Sequence, residues 1–212
     1  MKKKIALMAT SLVLVAALAV GGTLAYLTSH ATVTNTFTVG NVAITLDEAK
    51  VNEVGEKVDK EGNILGENAA DVRVTDNEYK LMPGHTYVKD PTIHVDANSE
   101  DCYLFVKVEN GISGIEASDN NIASQLTSNG WNSLEGNNGV YYYTHDGQTI
   151  VSVGDNNDYK VFDSFTINGD ADVSDCAGAT IEITAYAVQA DGFNTPDAAW
   201  EATFGASEAA EA

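Results

Sequence analysis

Between residues 40 and 190 apolar side chains recur at every second position in short runs, and Gly, Asn and Asp punctuate those runs. Val42, Ile44 and Leu46 alternate with Ala43, Thr45 and Asp47. That period turns one face of a strand toward a core and the other toward water. Further strands are predicted at 32–39, 86–88, 92–96, 103–109, 140–145, 149–153, 160–167 and 180–189. Strands this short and numerous, joined by polar turns, predict an all-β chain, a jelly-roll-like two-sheet β-sandwich with short peripheral helices. In Tyr141-Tyr142-Tyr143 the middle ring is expected on the face opposite its neighbours, with at least one ring toward solvent or a partner.

Two helices are expected. Residues 120–126 place Ile122 and Leu126 four apart on one face. Thr195-Pro196-Asp197 combines an N-cap, a proline at the first helical position and an acid in the first turn, with Gly205 as the stop. Trp200 and Phe204 then share a face that should dock on the core. Residues 48–80 form a charged excursion whose centre, 58–64, reads as a hairpin turning at Gly62. It is expected to stand as a solvated arm outside the core, with a subunit-contact arm as the competing reading.

The first 25 residues have another logic. Lys2, Lys3 and Lys4 precede an apolar run from Ile5 to Val20, then Gly21-Gly22 and the small-residue pattern Thr23-Leu24-Ala25. This is the build of a secretory signal peptide cleaved between Ala25 and Tyr26. The apolar run is shorter than the roughly 20 residues that span a bilayer. The expected organisation is a signal peptide at 1–25, one sandwich domain at 26–205 and a disordered acidic tail at 206–212.

Several segments carry a family resemblance. They are Gly21-Gly22-Thr23-Leu24-Ala25-Tyr26-Leu27-Thr28, the stretch from Val33 to Val42, Leu81-Met82-Pro83-Gly84, Lys89-Asp90-Pro91, Asp101 to Val108, and Ala185 to Phe193. Together they resemble the camelysin/TasA family of secreted Gram-positive proteins. The resemblance implies processing by a SipW-type signal peptidase, a jelly-roll sandwich and a place in extracellular biofilm fibres. It also brings a metalloendopeptidase label.

Charge narrows the partners. The chain has 11 basic and 31 acidic residues and a formal charge of −20. That balance argues against a nucleic-acid or anionic-membrane partner and predicts assembly that responds to salt and divalent cations.

Catalytic patterns are scarce. His30, His85, His94 and His145 do not form the His-Glu-x-x-His spacing that sets two imidazoles on one helix face around zinc. No Gly-x-Ser-x-Gly elbow and no phosphate-cradling glycine loop is present. No catalytic residue, metal or other cofactor is therefore assigned. Asp155 and Asp158, in Asp155-Asn156-Asn157-Asp158, are weak oxygen-ligand candidates for calcium, as is Asp170-Ala171-Asp172, though all read first as turn sequences. Cys102 and Cys176 could bridge in an exported protein, closing a loop of about 75 residues worth about 4 kcal/mol in the chain-entropy model. A buried Cys102 thiol is the equal alternative.

The segment released by cleavage, 26–39, is rich in Thr, Val and Phe and lacks charged side chains other than His30. Such a segment can add a strand to a neighbour's open sheet edge, with Tyr26, Leu27, Val33, Phe37 and Val39 as the docking residues. Head-to-tail donation that does not close yields filaments. The expected partners are further copies of the chain, the signal peptidase, and other matrix or cell-surface components. A monomeric adhesin or carbohydrate-binding sandwich using Trp131 and Tyr142 is the first alternative, and a camelysin-type peptidase the second.

Overall fold

The computed structural model describes residues 41–66, 68–154 and 157–205. The expected leader with Thr23 and Ala25, the expected donor segment with Tyr26, Leu27, Val33, Phe37 and Val39, the calcium candidate Asp155 and the acidic tail lie outside those residues.

Ten strands and two short helices are present among the described residues. The strands are β1 (Ile44–Ala49), β2 (Arg73–Val74), β3 (Thr86–Val88), β4 (Thr92–Val95), β5 (Cys102–Asn110), β6 (Trp131–Ser133), β7 (Val140–Tyr143), β8 (Asp158–Lys160), β9 (Ser164–Thr166) and β10 (Ile181–Gln189); the helices are α1 (Ile122–Ser128) and α2 (Pro196–Thr203). One sheet has the order β2-β1-β4-β8 and the other β10-β5-β7-β6, with β3 and β9 forming a separate ribbon. Every pairing is antiparallel. The chain is an all-β sandwich, as its two-residue period predicts.

Strand β5 organises the packing. Cys102, Leu104 and Val106 point into the main core with Ile93, Val95, Trp131, Phe162 and Phe165. Tyr103 and Phe105 point the other way, into a second cluster with Leu134, Val188, Ala199 and Trp200. Helix α2 exists to cover that outer face. Thr195 caps it through the Ala198 N–H at 3.2 Å, and Pro196 occupies its first turn. Trp200 then packs on Phe105 with ring centroids 5.1 Å apart, meets the tilted ring of Phe204 at 4.6 Å, and donates its indole N–H to Asn137 Oδ1 at 3.0 Å. The tyrosines of β7 divide as alternation requires. Tyr141 and Tyr143 lie against the main core and Tyr142 against the outer cluster.

Four expectations are corrected. The predicted strand at 160–167 is two strands, because β8 pairs with β4 while β9 pairs with β3, and the buried Val161 and Phe162 carry the chain from one sheet to the other. The predicted strand at 149–153 shrinks to a single bridge between Val151 and Cys102, which extends the edge of β5 that β7 occupies further along. Trp131, an expected surface aromatic, is 1% exposed and bonds through its indole N–H to Lys160 O.

The fourth concerns the charged excursion. Its hairpin at 58–64 closes through a Val58–Ile64 bridge, with Gly62 at φ +91°. Yet Val51 and Val58 are buried. The stretch folds back onto β3, where Val88 donates its N–H to Gly55 O at 3.2 Å and His85 Nε2 bonds Val54 O at 2.8 Å. Gly55 has φ +78°, and a Cβ there would meet Tyr87 Cα at 2.7 Å, so only glycine permits this approach.

Truncating Trp200 to Ala should lower stability by about 3–5 kcal/mol, since it empties a packed aromatic site. Ile64→Ser, at a position 64% exposed, should shift stability by no more than about 0.5 kcal/mol. Denaturant unfolding of the two variants checks both; equal midpoints would mean that α2 does not hold the outer face.

Candidate functional site

The principal surface feature is the seam between the sheets where β1 faces β10. β10 ends the order of its sheet, so among the described residues its outer edge has no partner strand. Ile181, Ile183, Ala185 and Ala187 turn inward along that edge and are only partly buried, as are Val42, Ile44 and Leu46 across the seam. A cavity of about 400 Å³ opens there, lined by Leu46, Glu48, Lys89, Thr180, Ile181 and Ile183 among others. A second of about 350 Å³ adjoins it through Lys89, Thr180 and Ile181 and runs to Asn77, Tyr79 and Cys176. An apolar trough beside an edge strand can take an extended peptide.

One wall of this trough is a charge network. Alternation along Ile44-Thr45-Leu46-Asp47-Glu48 sends Glu48 inward, where it is 4% exposed and accepts from Lys89 Nζ at 2.6 Å. Arg73 joins Asp47 at 2.7 Å and Asp90 at 3.1 Å. Asp90 in turn accepts the Ala49 N–H at 2.7 Å, and Lys57 reaches Asp71 at 2.6 Å. These contacts fasten the excursion to β1 and to the Lys89-Asp90-Pro91 corner. No sequence motif announces them. Extending the inward alternation of β1 by two residues would have flagged Glu48.

On the outer side of the same sheet His94 lies between two carboxylates. Nδ1 meets Asp158 Oδ1 at 2.7 Å and Nε2 meets Asp47 Oδ1 at 2.9 Å. In register, His94 is directly opposite Asp158 on β8 and diagonal to Asp47 on β1. Partial burial opposes the imidazolium, but the hydrogen bonds it donates to Asp158 and Asp47 and their charges outweigh it and raise the pKa. Asp47 is likewise partly desolvated, and its bonds to His94 and Arg73 bring its carboxyl below the usual range. The calcium candidate Asp158 therefore sits beside an imidazole. In the other candidate, Asp172 accepts the Ser174 N–H, while the Asp170 N–H is bound by the Asn168 side chain, both as turn contacts.

Cys102 and Cys176 are both free thiols, so the bridge weighed from sequence is not formed. Cys102 is core, and burial, with the nearby Asp101 charge, pushes its thiol up to about 11. Cys176 sits in a short 3₁₀ turn beside the smaller cavity.

The family model for camelysin metallo-endopeptidase matches residues 1–110. The chain belongs to the camelysin family. The matched part runs through the end of β5 and includes β1, β4 and the Lys89-Asp90-Pro91 corner. Neither a curated protein nor a solved structure matches the chain. For a camelysin-family metallo-endopeptidase centre the described residues do not fit. His85 bonds the Val54 carbonyl against the Tyr87 ring, His94 has a carboxylate at each nitrogen, and His145 is exposed beside Asp146 at a turn. Among the described residues no group of three or more His, Cys, Asp or Glu side chains is placed to hold a metal ion. No helix of the described residues is long and apolar enough to cross a membrane.

The His94 geometry has a definite pH signature. A neutral imidazole donates to one carboxylate and turns a lone pair on the other, so only the imidazolium satisfies both. Because the folded pKa lies above the ordinary 6.5, the stabilisation is full below that value and is lost as pH rises through the folded pKa. The melting-temperature gap between the wild type and His94→Gln should narrow from mildly acidic to mildly alkaline pH. A gap that stays constant or widens would contradict the assignment.

Proposed function

We propose that this camelysin-family chain is a secreted structural protein, a subunit of extracellular matrix fibres that assemble head-to-tail by strand donation. The observation that carries this reading is the nine-residue edge of β10 beside a half-open apolar seam. The stretch just before β1 supplies a matching donor. Val33, Phe37 and Val39 share the odd-numbered face of 26–39, while threonines fill 32, 34, 36 and 38. A strand of 14 residues extends roughly 46 Å at about 3.3 Å per residue, enough to follow the whole of β10.

Signal cleavage after Ala25 is the trigger in this scheme. It frees Tyr26 and Leu27 to leave their own molecule, and each subunit both gives a strand and receives one. The seam between β1 and β10 is the receiving site, with Leu46, Ile181 and Ile183 meeting the donor's apolar side chains. A structural role also accords with the separation of the histidines. The burial of Trp131 removes one of the two aromatics on which a sugar-binding surface would rest.

Electron microscopy of protein beginning at Tyr26 should show fibres, and the leader-retaining form should stay dispersed. Deleting 26–34 and, separately, Ile183→Lys should each abolish fibres while leaving the sandwich folded by circular dichroism. Raising salt should speed assembly, because the subunits carry strong like charge. Fibres from the deletion variant, or a mature protein that remains monomeric at every salt and protein concentration tried, would overturn the proposal.

A further inference from the structure

Glu48, Lys89 and Asn77 meet where the two cavities adjoin, and their arrangement has chemistry that neither strand donation nor the charge network uses. The two oxygens of the Glu48 carboxylate hold one partner each. Oε2 accepts from Lys89 Nζ at 2.6 Å and Oε1 accepts from the Asn77 amide nitrogen at 2.8 Å. A primary amine and a primary amide are thus held side by side on one carboxylate. Lys89 is 8% exposed and Glu48 4%. The aromatic wall is Tyr79, whose ring centroid is 5.8 Å from Lys89 Nζ.

The amide is held at both its oxygen and its nitrogen. Its oxygen, Asn77 Oδ1, accepts the Val51 N–H at 2.9 Å, a fixed donor for negative charge developing on that oxygen. Its nitrogen faces Glu48 Oε1 and the Ala49 carbonyl at 2.9 Å, so a carboxyl group stands ready at the leaving atom. Proximity of this kind makes a sluggish condensation effectively unimolecular.

We propose that Lys89 and Asn77 join in an intramolecular isopeptide bond, with Glu48 as the proton shuttle. Lys89 Nζ passes a proton to Glu48 Oε2, and its freed lone pair attacks Asn77 Cγ. Glu48 delivers that proton to Asn77 Nδ2, the Cγ–Nδ2 bond breaks, and ammonia departs, taking up the second proton lost by the lysine nitrogen as ammonium. An ammonium and a carboxamide become one secondary amide and one ammonium ion. No oxidant, metal or other co-reactant enters. The new amide N–H remains beside the Glu48 carboxylate.

The product ties the end of the charged excursion to the residue following β3 and fixes covalently the wall that Glu48 and Lys89 give to the trough. Nothing in the reaction requires polymerisation, so this inference and the fibre reading stand or fall separately.

Mass spectrometry of the denatured full chain tests it. The intact mass should be lower than the sequence mass by one ammonia. Trypsin normally cuts after Lys80 and Lys89. The cross-linked protein should instead give a branched peptide in which residues 74–80 are attached through Asn77 to Lys89 within residues 81–107, uncut at Lys89. Glu48→Gln and Lys89→Arg should each restore the full mass and linear peptides. An unmodified wild-type mass, or a loss of ammonia without the branched peptide, as a succinimide elsewhere would give, overturns the proposal. Because the wild-type measurement is decisive, the test survives any instability of the variants.

Discussion

The first five residues of strand β5, Cys102 to Val106, have water on neither side, and much of the architecture answers to that. Its residues alternate between two apolar clusters, so covering one face with the opposite sheet leaves Tyr103 and Phe105 uncovered. Each large apolar side chain buried is worth roughly 1.5–3 kcal/mol. The chain therefore returns after β10 to lay Trp200 and Phe204 over the outer face. β10, lying between β5 and the seam, inherits the consequence. Its Tyr186 and Val188 belong to the sealed outer cluster, while Ile181, Ile183, Ala185 and Ala187 border the half-closed trough.

Against this apolar frame the electrostatics are concentrated. In a chain with 31 acidic residues, Lys57, Arg73 and Lys89 converge on one corner of the sandwich, where Asp47, Glu48, Asp71 and Asp90 receive them. Burying a pair such as Lys89 and Glu48 gains little net stability over an apolar pair, but removing either partner strands the other charge. Such a cluster dictates where the excursion attaches. It also brings an amine, a carboxylate and an amide together at the margin of the trough, where covalent closure would reinforce the same attachment.

Membership of the camelysin family and the separation of the histidines bear on chemistry in different ways. The family name speaks of a metallo-endopeptidase, whereas His85, His94 and His145 are each occupied by neighbours on different parts of the fold. His94 is better understood as a tie across β1, β4 and β8. The part of the trough readable beforehand was the strand at 180–189, which is β10. The trough itself was not, because its two walls are 135 residues apart in the chain, Leu46 on β1 and Ile181 on β10.

The all-β class, the capped helix at 196–203, the Gly62 turn and the facing of the three tyrosines follow from the sequence alone, since each depends on side chains within a few positions of one another. Which strand joins which sheet does not. Residues 160–167 read as one continuous strand, and only competition between β3 and β4 for partners divides them. The buried Trp131, the packed excursion and the free Cys102 were likewise decided in three dimensions. So was the meeting of Glu48, Asn77 and Lys89, for polar side chains carry no periodic sign of their partners, and a hydrogen bond between positions 48 and 89 exists only once the strands that bear them have been brought together.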